Sequence, residues 1–199
     1  MSLMKASLGD GRERNVLLDP IANGLITLPN NHSYIHKGQH FKAGYSGLFT
    51  DLGDSIGLAI TTPAWNPPDN DHYDTMYHLV YRVWASAAIS LGIYENVGTV
   101  TGGGALTPLN NNRIPSIHGY ETDLTIVGGE ISFADGDLLL PLYYAGADRA
   151  REFTGTGNRD DDELLLKPGS TTAFELTALT ADDHYVGIEV AWYEYVPEM

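Results

Sequence analysis

The chain has 199 residues, 26 acidic against 11 basic, a formal charge of −15 and no cysteine. A domain of that length buries roughly 70% of its unfolded surface without disulfide or metal staples, and the missing thiols exclude disulfides, thiolate zinc sites and cysteine nucleophiles. The acidity argues against a nucleic-acid partner, because phosphate neutralisation drives that binding, and it is permissive for solubility and for many copies crowded on a surface.

The first 15 residues reach Asp10 before any apolar run of signal-peptide length. No later segment approaches a membrane span, so the expectation is a soluble, unexported protein with no membrane partner. Residues 1–30 read as an extended N-terminal arm: short Gly- and Asn-punctuated pieces with Arg12 and Arg14, then Asn15-Val-Leu-Leu-Asp-Pro and Gly24-Leu-Ile-Thr-Leu-Pro. The apolar tripeptides there are too short to close a core alone, so the arm is expected to gain order by docking. Its docking candidates are Arg12, Arg14, Leu17, Leu18, Leu25 and Ile26.

Residues 31–199 read as one domain. Candidate strands run over residues 40–45, 55–62, 76–85, 87–94, 122–127, 130–133, 138–144, 172–179 and 185–195. The last is the most regular, with Val186, Ile188, Val190 and Trp192 on one face and Tyr185, Glu189, Tyr193 and Tyr195 on the other. Residues 76–85 repeat the pattern, setting Tyr77, Leu79, Tyr81 and Val83 against Met76, His78, Val80, Arg82 and Trp84. Bulky groups on both faces imply that the second face is also covered or makes contacts. Between the strands stand turn-forming segments: Asp51-Leu-Gly-Asp, a Pro- and Asp-rich loop from Pro63, Gly102-Gly-Gly, Asn110-Asn-Asn-Arg, Asp135-Gly-Asp and Lys167-Pro-Gly-Ser. No window carries a helical stripe and no repeat is present, so the fold class is all-β, an antiparallel two-sheet sandwich.

The candidates for chemistry are weak. His32, His36 and His40 recur every four residues, but Pro29 and Gly38 oppose a helix. Along an extended chain successive members stand about 13 Å apart, so solvated or interface roles outweigh a metal site. Asp69, Asp71 and Asp74 depart from a calcium-binding helix–loop–helix pattern, since Tyr73, Asp74 and Val80 occupy positions that need other residues. The run from Asp160 to Glu163 reads as a solvated acidic turn. Gly102-Gly-Gly104 and Gly155-Thr-Gly157 read as flexible turns, neither lying between a strand and a helix. There is no Gly-x-Ser-x-Gly elbow and no His-x-His pair, so the expectation is no enzyme, no catalytic residue, no metal and no cofactor. Exposed Trp and Tyr remain, suited to protein contacts or to sugar stacking. Trp65 and Tyr73, in the Pro- and Asp-rich loop, are the glycan-contact candidates of an alternative reading, an adsorption module displayed on a phage head or tail fibre.

Several phrases in order resemble the head decoration or cement proteins of tailed bacteriophages. They are His32-Ser-Tyr-Ile-His36 with Gly38 and His40-Phe41, Gly92-Ile-Tyr-Glu95, Ala105-Leu-Thr-Pro-Leu-Asn-Asn-Asn-Arg113, Glu163-Leu-Leu-Leu-Lys-Pro-Gly169 and Ala191-Trp-Tyr-Glu194, spread over residues 30 to 195. The resemblance, with the strand number, points to a jelly roll. It implies a virion protein made in the host cytoplasm that binds the assembled major capsid protein on the outer capsid surface. Such proteins often act as homotrimers at local three-fold positions, and they brace the shell against internal DNA pressure. The family carries no catalytic residues to transfer.

Overall fold

The computed structural model describes residues 3–8, 12–19, 24–27, 39–64, 75–112, 121–144, 153–156 and 163–195. Every regular element among them is a strand. In the region expected as an extended arm, β1 (Leu3–Leu8), β2 (Arg12–Asp19) and β3 (Gly24–Thr27) form an antiparallel three-stranded sheet in the order β1-β2-β3. The segments joining them, Gly9-Asp10-Gly11 and Pro20-Ile-Ala-Asn23, consist largely of turn-forming residue types.

The remaining strands are β4 (His40–Phe49), β5 (Ser55–Thr61), β6 (Met76–Ala85), β7 (Ile89–Glu95), β8 (Val100–Ala105), β9 (Leu109–Asn110), β10 (Thr125–Phe133), β11 (Asp137–Tyr144), β12 (Phe153–Thr156), β13 (Leu164–Leu165), β14 (Thr171–Ala178) and β15 (His184–Tyr195). They form two six-stranded sheets. The first runs β12-β6-β15-β4-β9, with β13 also on β6; the second runs β11-β7-β14-β5-β10-β8. Every pairing is antiparallel. The protein is therefore an all-β two-sheet sandwich. Three pairs of successive long strands cross between the layers: β4 lies in the first and β5 in the second, β6 in the first and β7 in the second, β14 in the second and β15 in the first.

The two-residue period explains the layering. Val186, Ile188, Val190 and Trp192 of β15 and Leu79 and Val83 of β6 are fully buried, as the alternation requires. From the second sheet Leu58, Ile60, Leu91, Ile93, Phe174 and Leu176 meet them in one core. Tyr81 of β6 contacts Phe174 of β14 across the layers, ring centroids 5.6 Å apart, and Trp192 stacks on Phe41 at 5.6 Å. Each such side chain contributes about 1.5–3 kcal/mol by leaving water. One end of the sandwich is tied by turn-to-turn hydrogen bonds: the Gly53 amide donates to Ala178, the Leu179 amide to Ala88 and the Ser86 amide to Tyr185.

Four details depart from the sequence reading. The two sheets hold twelve strands rather than nine or so. Of the expected strands 122–127 and 130–133, residues 125–127 and 130–133 belong to one strand, β10, whose register shifts between Gly128 and Ile131 to absorb the intervening glycine. Gly102-Gly-Gly104 is no turn but part of edge strand β8. Gly102 and Gly103 take φ of 76° and 64° there, the left-handed conformation that lets a strand carry a bulge instead of ending. Gly155, read as part of a turn, pairs with Val83 in β12.

Candidate functional site

The two outer faces of the sandwich differ. On the second sheet, Ala59 and Ala173 leave room for larger side chains to lie across them. Val97 and Ile131 are buried there, with Tyr94, Val100, Val127 and Phe133 packed around them. Tyr94 and Phe133 meet edge to face at 5.0 Å, and the Tyr94 hydroxyl donates to Glu175 at 3.4 Å. Burial, and then the Glu175 carboxylate, push that hydroxyl above the usual tyrosine range. A small apolar cluster thus covers the middle of that face, while Leu138, the register partner of Tyr94, stays exposed at its edge.

Among the described residues, no such cluster covers the outer face of the first sheet. Register places Leu48 opposite Tyr185, Leu109 opposite Lys42, Leu165 opposite His78 and Met76 opposite Tyr195. All these positions alternate with the buried set and therefore share the outer face. Tyr185 is 72% exposed, Leu165 56%, Leu48 49% and Leu109 42%. A solvated sheet face normally carries polar residues, so this is an apolar surface with charged members, Arg82 and Glu189 among them, standing opposite each other.

Between the exposed residues runs an ordered polar row. The His78 ring stacks on Tyr193, centroids 4.6 Å apart and planes within 8°. Glu163 Oε2 lies 3.6 Å from His78 Nδ1, while Glu163 Oε1 is buried without a hydrogen-bond partner among the described residues. On the other side of Tyr193, His40 is buried and receives the Asn111 side-chain amide on Nδ1 at 2.5 Å. Nearer Tyr185, the Trp84 indole covers Gly187.

The docking candidates fall on β2 and β3. Leu17 stands in one cross-strand row with Leu3 and Ile26, and Leu18 in the next with Leu25. Arg14 stands opposite Ala6 and Arg12 opposite Leu8. The glycan-contact candidates Trp65 and Tyr73 lie outside the described residues, as do His32, His36, Asp69, Asp71, Asp74, Arg113 and Asp160. Of the two motif residues that are described, His40 is buried against Asn111, and Glu163 is a mostly buried side chain rather than part of a solvated turn.

Among the described residues, no group of three or more His, Cys, Asp or Glu side chains is placed to hold a metal ion, and no helix is long and apolar enough to cross a membrane. No protein-family model matches the chain, and no curated protein matches it. The sequence alternation set His78, Trp84 and Tyr193 on the face opposite Leu79, Val83 and Trp192 and left open which face is buried; the structure makes theirs the outer one. What the alternation missed was their grouping with Glu163, His40 and Asn111, because a two-residue period fixes a face and not a register.

Proposed function

We propose that the chain is a non-enzymatic virion protein, a jelly-roll sandwich that binds the outer surface of a tailed-phage capsid and braces it. The observation that carries this reading is the set of exposed apolar side chains on the outer face of the first sheet, which no cluster of the described residues covers. Tyr185, Leu48, Leu165 and Leu109 stay exposed there around the stacked His78 and Tyr193 rings, whereas the middle of the opposite outer face is covered by its own cluster and Leu138 stays exposed at its β11 edge. Large rigid side chains supply most of the energy of a protein interface, and the Arg82–Glu189 register pair, standing between the Tyr185–Leu48 row and the Tyr193–His78 row, adds a charged element to the patch. The strand path supports the jelly-roll assignment, because β4-β15-β6-β12 faces β5-β14-β7-β11 and the chain swaps layers from β4 to β5, β6 to β7, β11 to β12 and β14 to β15. The resemblance of the five quoted phrases to decoration proteins supports the capsid as partner and a homotrimer at local three-fold positions as the bound form.

The test is co-sedimentation with expanded and unexpanded head shells assembled without the protein, followed by thermal release of packaged DNA. Saturable binding to expanded shells with a raised release temperature is expected. Absence of binding to either shell overturns the reading, and a monomeric mass on the shell overturns the trimer.

A further inference from the structure

The four edges of the two sheets are not equally protected. The second sheet ends on one side at β11, whose register is broken between Leu138 and Leu140 and which carries Pro141. The first ends at β12, of four residues, and at β9, of two. Bulges, prolines and brevity are the usual ways of making an edge unfit for pairing. β8 is six residues long, Val-Thr-Gly-Gly-Gly-Ala, without proline or charge, and Thr101 to Ala105 are all exposed. No described strand lies beyond it.

Beside this edge the gap between the sheets stays open. Tyr45 of β4 reaches to the backbone of Gly128 and Gly129, and a cavity of about 520 Å³ lies between that ring and Gly103, Gly104 and Leu106. A second cavity, about 560 Å³, continues from Gly102 and Glu130 to the turn holding Thr50 and Asp54. Both touch Glu130, and no described lining residue of either is Lys, Arg or His. The Asp54 carboxylate is held ionised by the amides of Thr50 and Asp51 at 2.8 and 2.9 Å. The groove is therefore anionic.

Its glycines divide into two kinds. Gly102 and Gly103 answer the fold: both have positive φ, and a Cβ on either would stand within 2.6 Å of β10 atoms. Gly104 has neither constraint, for a Cβ there would meet nothing within 4 Å. Its missing side chain leaves open space in the floor of the groove. Next to it, the Leu106 amide donates inward to Ile126, so strand alternation directs the Ala105 amide and carbonyl to the open side.

The geometry points to a peptide-binding edge: an extended segment bearing Lys or Arg lies along Gly104–Leu106, exchanges backbone hydrogen bonds with Ala105, and sets a cationic side chain against Glu130. Charge complementarity selects this occupant over a second copy of the chain, which would bring its own Glu130 to the same place. The bulge at Gly102 limits the pairing to the later half of β8, so the contact is short and salt-sensitive. It is separate from the outer face of the first sheet and does not depend on the capsid reading.

The test uses the full chain and two blocked heptapeptides, Thr-Lys-Val-Lys-Val-Lys-Thr and its counterpart with Glu for Lys, read by amide chemical shifts and hydrogen exchange. The Lys peptide is expected to protect the Ala105 amide, and the Glu peptide to leave it unchanged. Ala105→Pro removes an outward donor without touching the β8–β10 ladder and should weaken binding about tenfold or more. Glu130→Gln should weaken it and flatten its salt dependence, with thermal melting of both variants confirming that they fold. Equal binding of the two peptides, binding that survives Ala105→Pro, or no shift with either peptide overturns the proposal. So does a dimer in light scattering that Ala105→Pro abolishes, because the edge would then belong to a second copy.

Discussion

Trp84 and Gly187 occupy adjacent strands in direct register, and the indole stands so close over the glycine that a Cβ on residue 187 would lie 2.2 Å from the ring. The outer face of the first sheet is therefore shaped by packing as tight as in a core. Gly187→Ala must drive Trp84 off its site, at a cost of about 1–3 kcal/mol for overpacking. Urea unfolding followed by tryptophan emission checks this, and an unchanged midpoint would mean that the indole moves freely.

Trp192 tests the interior. It is fully buried, stacks on Phe41 and donates its indole N–H to the buried Glu194 at 3.3 Å. Trp192→Ala removes that packing and leaves a cavity, so a loss of about 3–5 kcal/mol is expected. Trp192→Phe keeps most of the volume and should cost much less. Equilibrium denaturation of the pair separates packing from the hydrogen bond.

Asp54 predicts a pH dependence. The amides of Thr50 and Asp51 donate to its carboxylate and hold its pKa below the ordinary 3.8. A carboxyl group depressed on folding stabilises the protein fully above its unfolded pKa, and that contribution fades as pH falls through the folded value. Asp54→Asn should therefore lower the melting temperature at pH 7 and at pH 5. The gap between variant and parent should narrow below about pH 4. A gap that is constant down to pH 2.5 would deny the charge any part in the turn.

The fold was largely legible because its strongest strands keep a strict period of two. Val186 to Trp192 and Tyr77 to Val83 declare two faces without tertiary information, and only the packing selects which of them is buried. What stayed hidden depends on register or on unusual backbone. Glycines at 102 and 103 read as a turn because three in a row usually mark one, and only pairing with β10 shows them carrying a bulge. The β1-β2-β3 sheet escaped notice because its strands lack a run of alternating apolar residues. Among the candidate site residues, the register of β2 and β3 pairs Leu17 with Ile26 and Leu18 with Leu25, which a linear reading cannot show.

The exposed outer face is open to a control that spares the fold. Leu48 and Tyr185 are register partners, 49% and 72% exposed. Leu48→Asp and Tyr185→Asp should change stability by no more than about 0.5 kcal/mol each, as surface substitutions do. Thermal melting checks that point before any binding experiment.

The most direct measurement is the affinity of the parent chain and of the Leu48→Asp/Tyr185→Asp double variant for expanded head shells assembled without the protein. Saturable binding by the parent, weakened at least about a hundredfold in a variant that melts normally, is the expected result for a hot-spot patch. Equal binding by both chains would remove the outer face of the first sheet from the contact, and no binding by the parent would contradict the capsid role itself.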